Sequence, residues 1–177
     1  MALKHKGKIA LITGANKGIG FEVARHLGAE GVTVFLGVRN PQLGEIAEAK
    51  LKADGIDAHC IELDVTKPET ISKAAETIRA QHGRLDILVN NAGVAVKGDG
   101  PPSVADPEAV CNALDVNFFG VLAVTQAMLP LVRKAASGRI VMVSSGLGSL
   151  TWNADPNWSF AGIKPLGYNG SKNLSKN

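Results

Sequence analysis

The chain has 177 residues, enough to bury a substantial core, and a net charge of only +3. Acidic and basic residues are interspersed, which argues against nucleic acid or a membrane surface as a partner. The apolar runs are too short to span a bilayer, and the start lacks the apolar stretch of a signal peptide. The two cysteines and four histidines lack metal-site spacing. We therefore predict a cytoplasmic protein with buried free thiols and no bound metal.

The first predicted strand, residues 8–12, leads into a glycine-rich turn from Thr13 to Gly20. Apolar residues then recur at helical spacing, so the turn joins a strand to a helix. Gly14 permits a sharp change of direction, and Gly18 and Gly20 let a ligand approach the backbone closely. The free N–H groups and the positive end of the helix attract a phosphate. A plain glycine turn without a ligand is the alternative interpretation.

Strands and helices alternate over the next part of the chain. Nearly continuous apolar runs predict buried strands, and apolar residues at helical spacing predict amphipathic helices. Thr66 is the expected N-cap of the third helix. The predicted elements are a strand over 32–38, a helix over 42–53, a strand over 58–63, a helix that contains Ile71 and Ile78, and a strand over 85–89.

The second half of the chain is less regular. Residues 94–107 and 146–166 are rich in turn-forming residues and predict two loops. A long helix is expected from near Asp106 to Lys134, and its apolar stretch 116–131 should be buried. The remaining predicted elements are a fifth strand over 139–145 and a last helix that begins near Pro165 or Leu166.

Five strands alternating with helices predict a Rossmann-type, doubly wound parallel sheet in three layers, within one domain over 1–177. In such a sheet the ligand lies beyond the carboxyl ends of the strands. The chemically distinctive residues all lie at the carboxyl ends of predicted strands: Gly14, Arg39, Asp64, Asn91 and Ser145. This agreement predicts a ligand site at that edge of the sheet.

Two motifs and a set of four residues, in order along essentially the whole chain, resemble those of the classical short-chain dehydrogenase/reductase family. They are Thr13-Gly14-x-x-x-Gly18-x-Gly20, Asn90-Asn91-Ala92-Gly93, and the tetrad positions Asn117, Ser145, Tyr168 and Lys172. The sequence of the glycine turn, and the enlarged segment between Ser145 and Tyr168, resemble those of the carbonyl-reductase-like branch of this family. The resemblance implies a nicotinamide cofactor. The residues it implies as cofactor-binding are Gly14, Asn16, Lys17, Gly18, Ile19, Gly20, Arg39, Asp64, Val65, Asn91, Ala92, Gly93, Tyr168 and Lys172.

The resemblance gives each tetrad residue a role, and physical chemistry supports the pairing of Tyr168 with Lys172. The two residues are four apart, so they share one face of a helix. A nearby ammonium favours the phenolate, which lets Tyr168 exchange a proton with a substrate oxygen. By the resemblance, Ser145 hydrogen-bonds the same oxygen, Lys172 also binds the cofactor ribose, and Asn117 holds a water.

Three of these assignments have alternatives. Ser144 and Ser149 compete with Ser145 for the hydroxyl role. Asn117 stands in an apolar helix, where a structural hydrogen bond to the backbone is the alternative. Tyr168 is the one tyrosine of the chain and is otherwise interpreted as a packed amphipathic residue.

The end of the second strand bears on the choice of cofactor. NAD sites commonly place Asp or Glu there for the ribose 2′-hydroxyl, whereas a nearby Arg accommodates a 2′-phosphate. Here Arg39 follows the strand, and Lys17 adds a cation within the glycine turn. We therefore predict NADP(H), with a solvated loop charge as the alternative role of Arg39. By resemblance, Asp64 and Val65 flank the adenine.

The chain departs from the family after the predicted catalytic helix. It ends five residues beyond Lys172, where family members add two strands and a lid over the substrate. We expect a truncated or fragmentary form of a longer reductase, with the fifth strand as an apolar sheet edge. In the enlarged segment, Trp152, Trp158 and Phe160 either line a substrate pocket, plug it, or block a dimer face.

The leading hypothesis is an NADP(H)-dependent oxidoreductase that interconverts a ketone or aldehyde and an alcohol by hydride transfer, with Tyr168 as general acid/base. The rival hypothesis is an NADP(H)-binding protein with weak or no turnover, because the last strands of the family are missing. A sugar-nucleotide epimerase is less favoured, because its glycine turn is spaced differently. The substrate, the stereochemistry and the oligomeric state stay open.

Overall fold

The five strands of the computed structural model, which describes residues 5–174, form one parallel sheet. The strands are β1 (Ile9–Thr13), β2 (Thr33–Val38), β3 (Ala58–Glu62), β4 (Ile87–Asn90) and β5 (Arg139–Met142). Their order across the sheet is β3-β2-β1-β4-β5. The chain reverses its direction of winding between β1 and β4, which confirms the predicted Rossmann-type, doubly wound sheet.

Helices connect the strands close to the predicted positions. They are α1 (Gly18–Ala29), α2 (Pro41–Ala53), α3 (Pro68–His82), α4 (Pro107–Leu114), α5 (Val121–Val132), α6 (Leu150–Ala154) and α7 (Leu166–Leu174). A π-helical segment, Asp115–Gly120, joins α4 to α5, and a single 3₁₀ turn, Gly146–Gly148, follows β5. The loop predicted over 146–166 therefore contains two short helical elements.

The described chain divides into two compact units. The first unit comprises the chain up to Ala92 together with Ala123–Val141, and the second comprises Gly93–Leu122 together with the chain from Met142. In the first unit every residue of β1 is buried, and five of the six residues of β2 are buried. This explains their nearly continuous apolar sequences, because strands covered on both faces have no side that faces water.

The helical run 107–132 is buried along one face, whereas its sequence predicted burial all round. Val124 and Met128 are fully enclosed, but Phe119 is 55% exposed and Leu122 is 45% exposed. By length and composition alone this run is able to cross a bilayer, so the expectation of only short apolar runs is wrong. Buried core helices of globular proteins have the same length and apolar composition, so these two properties are weak evidence for a membrane span.

Two local expectations are also wrong. Helix α3 begins at Pro68 with Lys67 as its N-cap, whereas Thr66 donates from Oγ1 to Asp64 Oδ1 at 2.7 Å. Proline is favoured at the first position of a helix, and the Thr66 hydroxyl is already used by the turn before it. Both cysteines are free thiols, but neither is fully buried as expected: Cys60 is half-buried in β3 and Cys111 is exposed on α4.

Strand β5 is the last strand of the sheet and ends at Met142, earlier than predicted. Val141 is 46% exposed and Met142 is 38% exposed. Within residues 5–174, β5 therefore lies at one edge of the sheet and carries exposed apolar side chains.

Thr13 joins the end of β1 to the end of β4. Its Oγ1 accepts hydrogen bonds from the backbone N–H groups of Asn91 and Ala92, each at 3.0 Å, and Thr13 is only 1% exposed. The Asn91 Nδ2 donates in return to the carbonyl oxygens of Thr13 at 2.9 Å and Gly14 at 3.2 Å. These bonds fix the two turns that follow the central strands, because each satisfies a backbone group beyond the end of the sheet.

Replacing Thr13 by valine deprives two backbone N–H groups of their acceptor. We expect the free energy of unfolding to fall by about 2–3 kcal/mol, since a buried donor without a partner is costly. Urea-induced unfolding followed by circular dichroism measures this loss. Thr13→Ser is the matched control: it keeps the acceptor and should lose only about 1 kcal/mol with the methyl group. Equal losses in the two variants would contradict the interpretation.

Candidate functional site

The glycine-rich turn of the first unit has a backbone that suits glycine alone. The φ angles of Gly14 and Gly18 are +66° and +59°, in the left-handed region. A Cβ on Gly14 would lie 3.0 Å from Ala92 Cα, and one on Gly20 would lie 2.8 Å from Gly14 O. A Cβ on Gly18 would meet no atom within 4 Å. The turn is therefore closely packed on its inner side and open at the start of α1.

The start of α1 is suited to an anion. Its N-cap residue, Lys17, makes no capping hydrogen bond with its side chain, and the first turn contains no acidic residue. Helix α2 differs, because Asn40 Oδ1 accepts a hydrogen bond from Leu43 N at 3.1 Å. Lys17 and Ile19 are exposed. The positive end of the α1 dipole, with a lysine beside it, fits a phosphate group.

Arg39 and Asp64 follow β2 and β3, as the sequence predicts. Burial acts to raise the pKa of Asp64, but hydrogen bonds from Thr66 and the charges of Lys67 and Arg39 hold this pKa below its usual value. The bonds come from Thr66 N at 3.0 Å and Thr66 Oγ1 at 2.7 Å. Arg39 is exposed, and Val65 is buried. Arg39 therefore offers its guanidinium to solvent or to a ligand.

In the second unit, Tyr168 and Lys172 lie on the same face of α7. The Lys172 Nζ lies 5.8 Å from the centre of the Tyr168 ring and donates to the carbonyl oxygen of Val143 at 3.0 Å. Lys172 is only 5% exposed, and burial lowers its pKa from the ordinary value of 10.5. The predicted pair is thus brought together by one helical turn, and the ammonium is held away from water.

The hydroxyl groups of the neighbouring serines have different partners. Ser144 Oγ donates to the carbonyl oxygen of Lys172 at 3.2 Å, which is a structural role. Ser145 Oγ accepts a hydrogen bond from Leu147 N at 3.2 Å. Because a hydroxyl that accepts one bond can still donate another, Ser145 is suited to donate to a substrate oxygen. Ser149 Oγ accepts from Trp152 N at 3.3 Å and caps α6.

A concave site of about 430 Å³ opens beside Ser145. Trp152 forms one wall, and a Cβ on Gly146 would lie 2.8 Å from its indole ring. The ring centres of Trp152 and Trp158 lie 5.6 Å apart, and those of Trp158 and Phe160 lie 5.5 Å apart. Trp152 therefore lines the concave site, which is one of the alternatives that the sequence left open, and Trp158 packs against it at a tilted angle and against Phe160 edge-on.

Asn117 has the structural hydrogen bonds that were the alternative to a catalytic role. It is fully buried in the π-helical segment. Its Oδ1 accepts from Val94 N at 2.8 Å, and its Nδ2 donates to Val94 O at 2.9 Å and to Ser171 Oγ at 3.1 Å. The water-holding role of Asn117 stays a prediction.

Sequence reasoning missed two residues that fix α7: Ser171, which lies within the helix, and Asp99, which lies in the loop before α4. Ser171 Oγ donates to Tyr168 O at 2.8 Å, and its position inside Tyr-x-x-Ser-Lys was visible in the sequence. The carboxylate of Asp99 accepts hydrogen bonds from Gly167 N and Tyr168 N, each at 2.8 Å. No motif links Asp99 to a residue so far along the chain, so only the folded structure reveals this contact.

Curated relatives resemble this chain over most of its length. Short-chain dehydrogenase/reductase 1 of Saponaria officinalis is 38% identical over 164 residues, which cover 81% of this chain and 54% of that protein. Carbonyl reductase (NADPH) 1 of Mus musculus is 39% identical over 139 residues, which cover 77% of this chain and 48% of that protein. Overall, the chain spans about half to two thirds of the length of such relatives.

Solved structures resemble the fold. A short-chain dehydrogenase from Shigella flexneri complexed with NADP matches with a TM-score of 0.84 and 27% identity, over 99% of this chain and 70% of that chain. A short-chain dehydrogenase from Escherichia coli CFT073 complexed with NADPH matches with a TM-score of 0.85 and 28% identity, over 99% and 70% of the two chains. A family model described as short chain dehydrogenase matches residues 8–160. Since that match covers most of the sequence, the chain belongs to the short-chain dehydrogenase/reductase family.

Proposed function

We propose that this chain is an NADP(H)-dependent oxidoreductase that interconverts a ketone or aldehyde and an alcohol, with Tyr168 as general acid/base. The observation that carries the proposal is the pairing of Tyr168 with a buried Lys172 on one face of α7. The solved relatives complexed with NADP or NADPH, and the mouse relative named as an NADPH carbonyl reductase, support the same chemistry.

The first unit has the features that a dinucleotide phosphate needs. Open space at Gly18 and the uncapped start of α1 suit a pyrophosphate, and the exposed guanidinium of Arg39 suits a 2′-phosphate. The bound cofactor supplies or accepts the hydride. The residues that we propose to hold it are Gly14, Asn16, Lys17, Gly18, Ile19, Gly20, Arg39, Asp64, Val65, Asn91, Ala92, Gly93, Tyr168 and Lys172.

The proton chemistry belongs to the second unit. In the direction of reduction, Tyr168 donates its phenolic proton to the substrate oxygen as negative charge develops there, and Ser145 donates a hydrogen bond to the same atom. The Lys172 ammonium stabilises the resulting phenolate, because a nearby positive charge favours the anion and burial strengthens the attraction. In the direction of oxidation the phenolate accepts the proton of the alcohol.

The side chain of Asn117 contributes through its structural bonds. Its amide is committed to Val94 and Ser171, and Ser171 in turn bonds to the carbonyl of Tyr168. We therefore assign Asn117 to the support of α7, and its role in holding a water in the proton path stays a prediction.

The wall of the concave site indicates the kind of substrate. An indole beside the Ser145 hydroxyl suits an apolar carbonyl compound whose oxygen reaches the serine. The rival function is NADP(H) binding without turnover. The two functions differ in whether Tyr168 matters for NADPH oxidation.

Tyr168→Phe removes the proton donor and keeps the ring. We expect the rate of NADPH oxidation with a panel of aldehydes and ketones to fall by about a thousandfold, the middle of the usual range for general acid catalysis. The decrease in absorbance of NADPH measures the rate. The dissociation constant of NADPH, from fluorescence titration, should stay within about twofold, since the ring is kept and the other residues proposed to hold the cofactor are unchanged. NADPH binding without turnover in the unsubstituted chain would favour the rival function.

Arg39→Ala removes the guanidinium proposed to bind the 2′-phosphate. We expect the dissociation constant of NADPH to rise about tenfold or more and that of NADH to change little, because only NADPH offers a charge-assisted contact there. Fluorescence titration with both cofactors measures the two constants. Arg79→Ala, which removes an exposed arginine of α3, should leave both constants unchanged. Tighter binding of NADH than NADPH by the unsubstituted chain would overturn the assignment.

Lys172 gives the chain a predictable dependence of stability on pH. Burial lowers its pKa in the folded state, so between that value and 10.5 the unfolded chain binds more protons. Stability should therefore rise with pH in this window, relative to a Lys172→Met variant that cannot titrate. Urea unfolding of both proteins from neutral pH to about 10.5 measures the difference. Lys50→Met, at an exposed position of α2, is the control and should show no such trend.

A further inference from the structure

The first turn of α7 contains no acidic side chain that could accept hydrogen bonds from its leading backbone N–H groups. The leading N–H groups of any α-helix have no partner within the helix. The N–H groups of Leu166, Gly167 and Tyr168 nevertheless all have acceptors. Leu166 N donates to Gly100 O at 3.0 Å, and the next two donate to Asp99. Two consecutive loop residues therefore fix the start of the catalytic helix.

Asp99 holds this turn with both oxygens of its carboxylate. Oδ1 accepts from Gly167 N and Oδ2 accepts from Tyr168 N, each at 2.8 Å. Two bonds to successive N–H groups constrain the rotation of the turn as well as its position. A carboxylate at a helix N-terminus is also favoured by the dipole, and charged hydrogen bonds are stronger than neutral ones. One of the donor nitrogens belongs to Tyr168 itself, so Asp99 acts next to the Tyr168 Cα.

The loop that presents Asp99 is ordered by its own backbone bonds. Asp99 N donates to Val96 O at 3.2 Å, and Asp106 N donates to Gly98 O at 3.0 Å. Gly98 has a φ of +95°, which a residue with a side chain would adopt only with strain. The carboxylate is therefore held by a loop of defined conformation that ends at the N-cap of α4.

The other end of the same helical turn is fixed by different contacts. Lys172 is held by the carbonyl of Val143 and by the Ser144 hydroxyl, and a Cβ on Gly148 would lie 2.6 Å from its carbonyl carbon. Loss of the Asp99 carboxylate would therefore release the Tyr168 end of the turn while the Lys172 end stays in place. The consequence is a change in the geometry of the pair.

We propose that Asp99 is a positioning residue that sets the orientation of Tyr168 relative to Lys172. The inference rests on the proposed function of Tyr168 as the proton donor. Asp99 acts through the backbone of α7, and neither the cofactor nor the substrate needs to touch it.

The test uses Asp99→Ala and Asp99→Asn with Asp106→Ala as the matched control. Asp106 is a second aspartate of the same loop, and it caps α4 by accepting from Glu108 N at 3.0 Å. The chain contains one tyrosine, so incorporation of 3-fluorotyrosine gives a single fluorine-19 NMR resonance, that of Tyr168. This readout needs no turnover and therefore does not depend on the proposed function.

We expect Asp99→Ala to move the Tyr168 resonance and to lower kcat about tenfold to a hundredfold. The KM for the aldehyde or ketone should stay within about twofold, because a small displacement of a reacting group lowers the rate of the reaction more than the affinity for substrate. Asp99→Asn keeps one acceptor oxygen and the folded shape, so it should shift the resonance in the same direction and lose less of kcat. Asp106→Ala should change neither quantity.

An unmoved resonance in both Asp99 variants, or an equal shift in Asp106→Ala, would overturn the proposal. Failure of the proposed function would give a different result. The unsubstituted chain would then oxidise no NADPH, or Tyr168→Phe would oxidise it at the same rate as the unsubstituted chain. A moved resonance without turnover supports the positioning role of Asp99 and counts against the enzyme.

Discussion

Lys172 carries a positive charge into the interior of the second unit, where its Nζ donates to the carbonyl oxygen of Val143. Removing an ammonium from water is costly, so the surrounding chain must supply oriented dipoles and close packing. Gly148 allows that packing, because a side chain there would meet the backbone of Lys172. The proposed chemistry depends on this charge, because the Lys172 Nζ lies 5.8 Å from the centre of the Tyr168 ring.

Polar side chains near the ends of the strands mostly satisfy backbone groups. In the first unit Thr13 accepts from two N–H groups, and Asn91 donates to two carbonyl oxygens. In the second unit Asn117 and Ser144 do the same for Val94 and Lys172. A parallel sheet leaves such groups unpaired where its strands end, which is also where ligands bind. A polar residue at that edge is therefore a candidate for either role, and its partners decide between them.

Local patterns predicted most elements, and the errors have local causes. The N-cap at Thr66 was wrong because Asp64 uses the hydroxyl and Pro68 starts the helix. The stretch 116–131 was expected to be buried all round because it is apolar all round, but Phe119 and Leu122 are exposed. An apolar composition shows that a helix face can be buried, but whether that face is buried depends on the other elements that pack against it.

The sequence by itself determined the alternation of strands and helices, the glycine turn, and the shared helix face of Tyr168 and Lys172. These features depend on steric limits and periodicities that act over a few residues. Only the tertiary structure decided that Lys172 is buried, that Asn117 binds Val94 and Ser171, and that Asp99 holds the backbone of Tyr168. Those contacts join residues far apart in the chain, and their existence depends on the path of the loops, which no local pattern specifies.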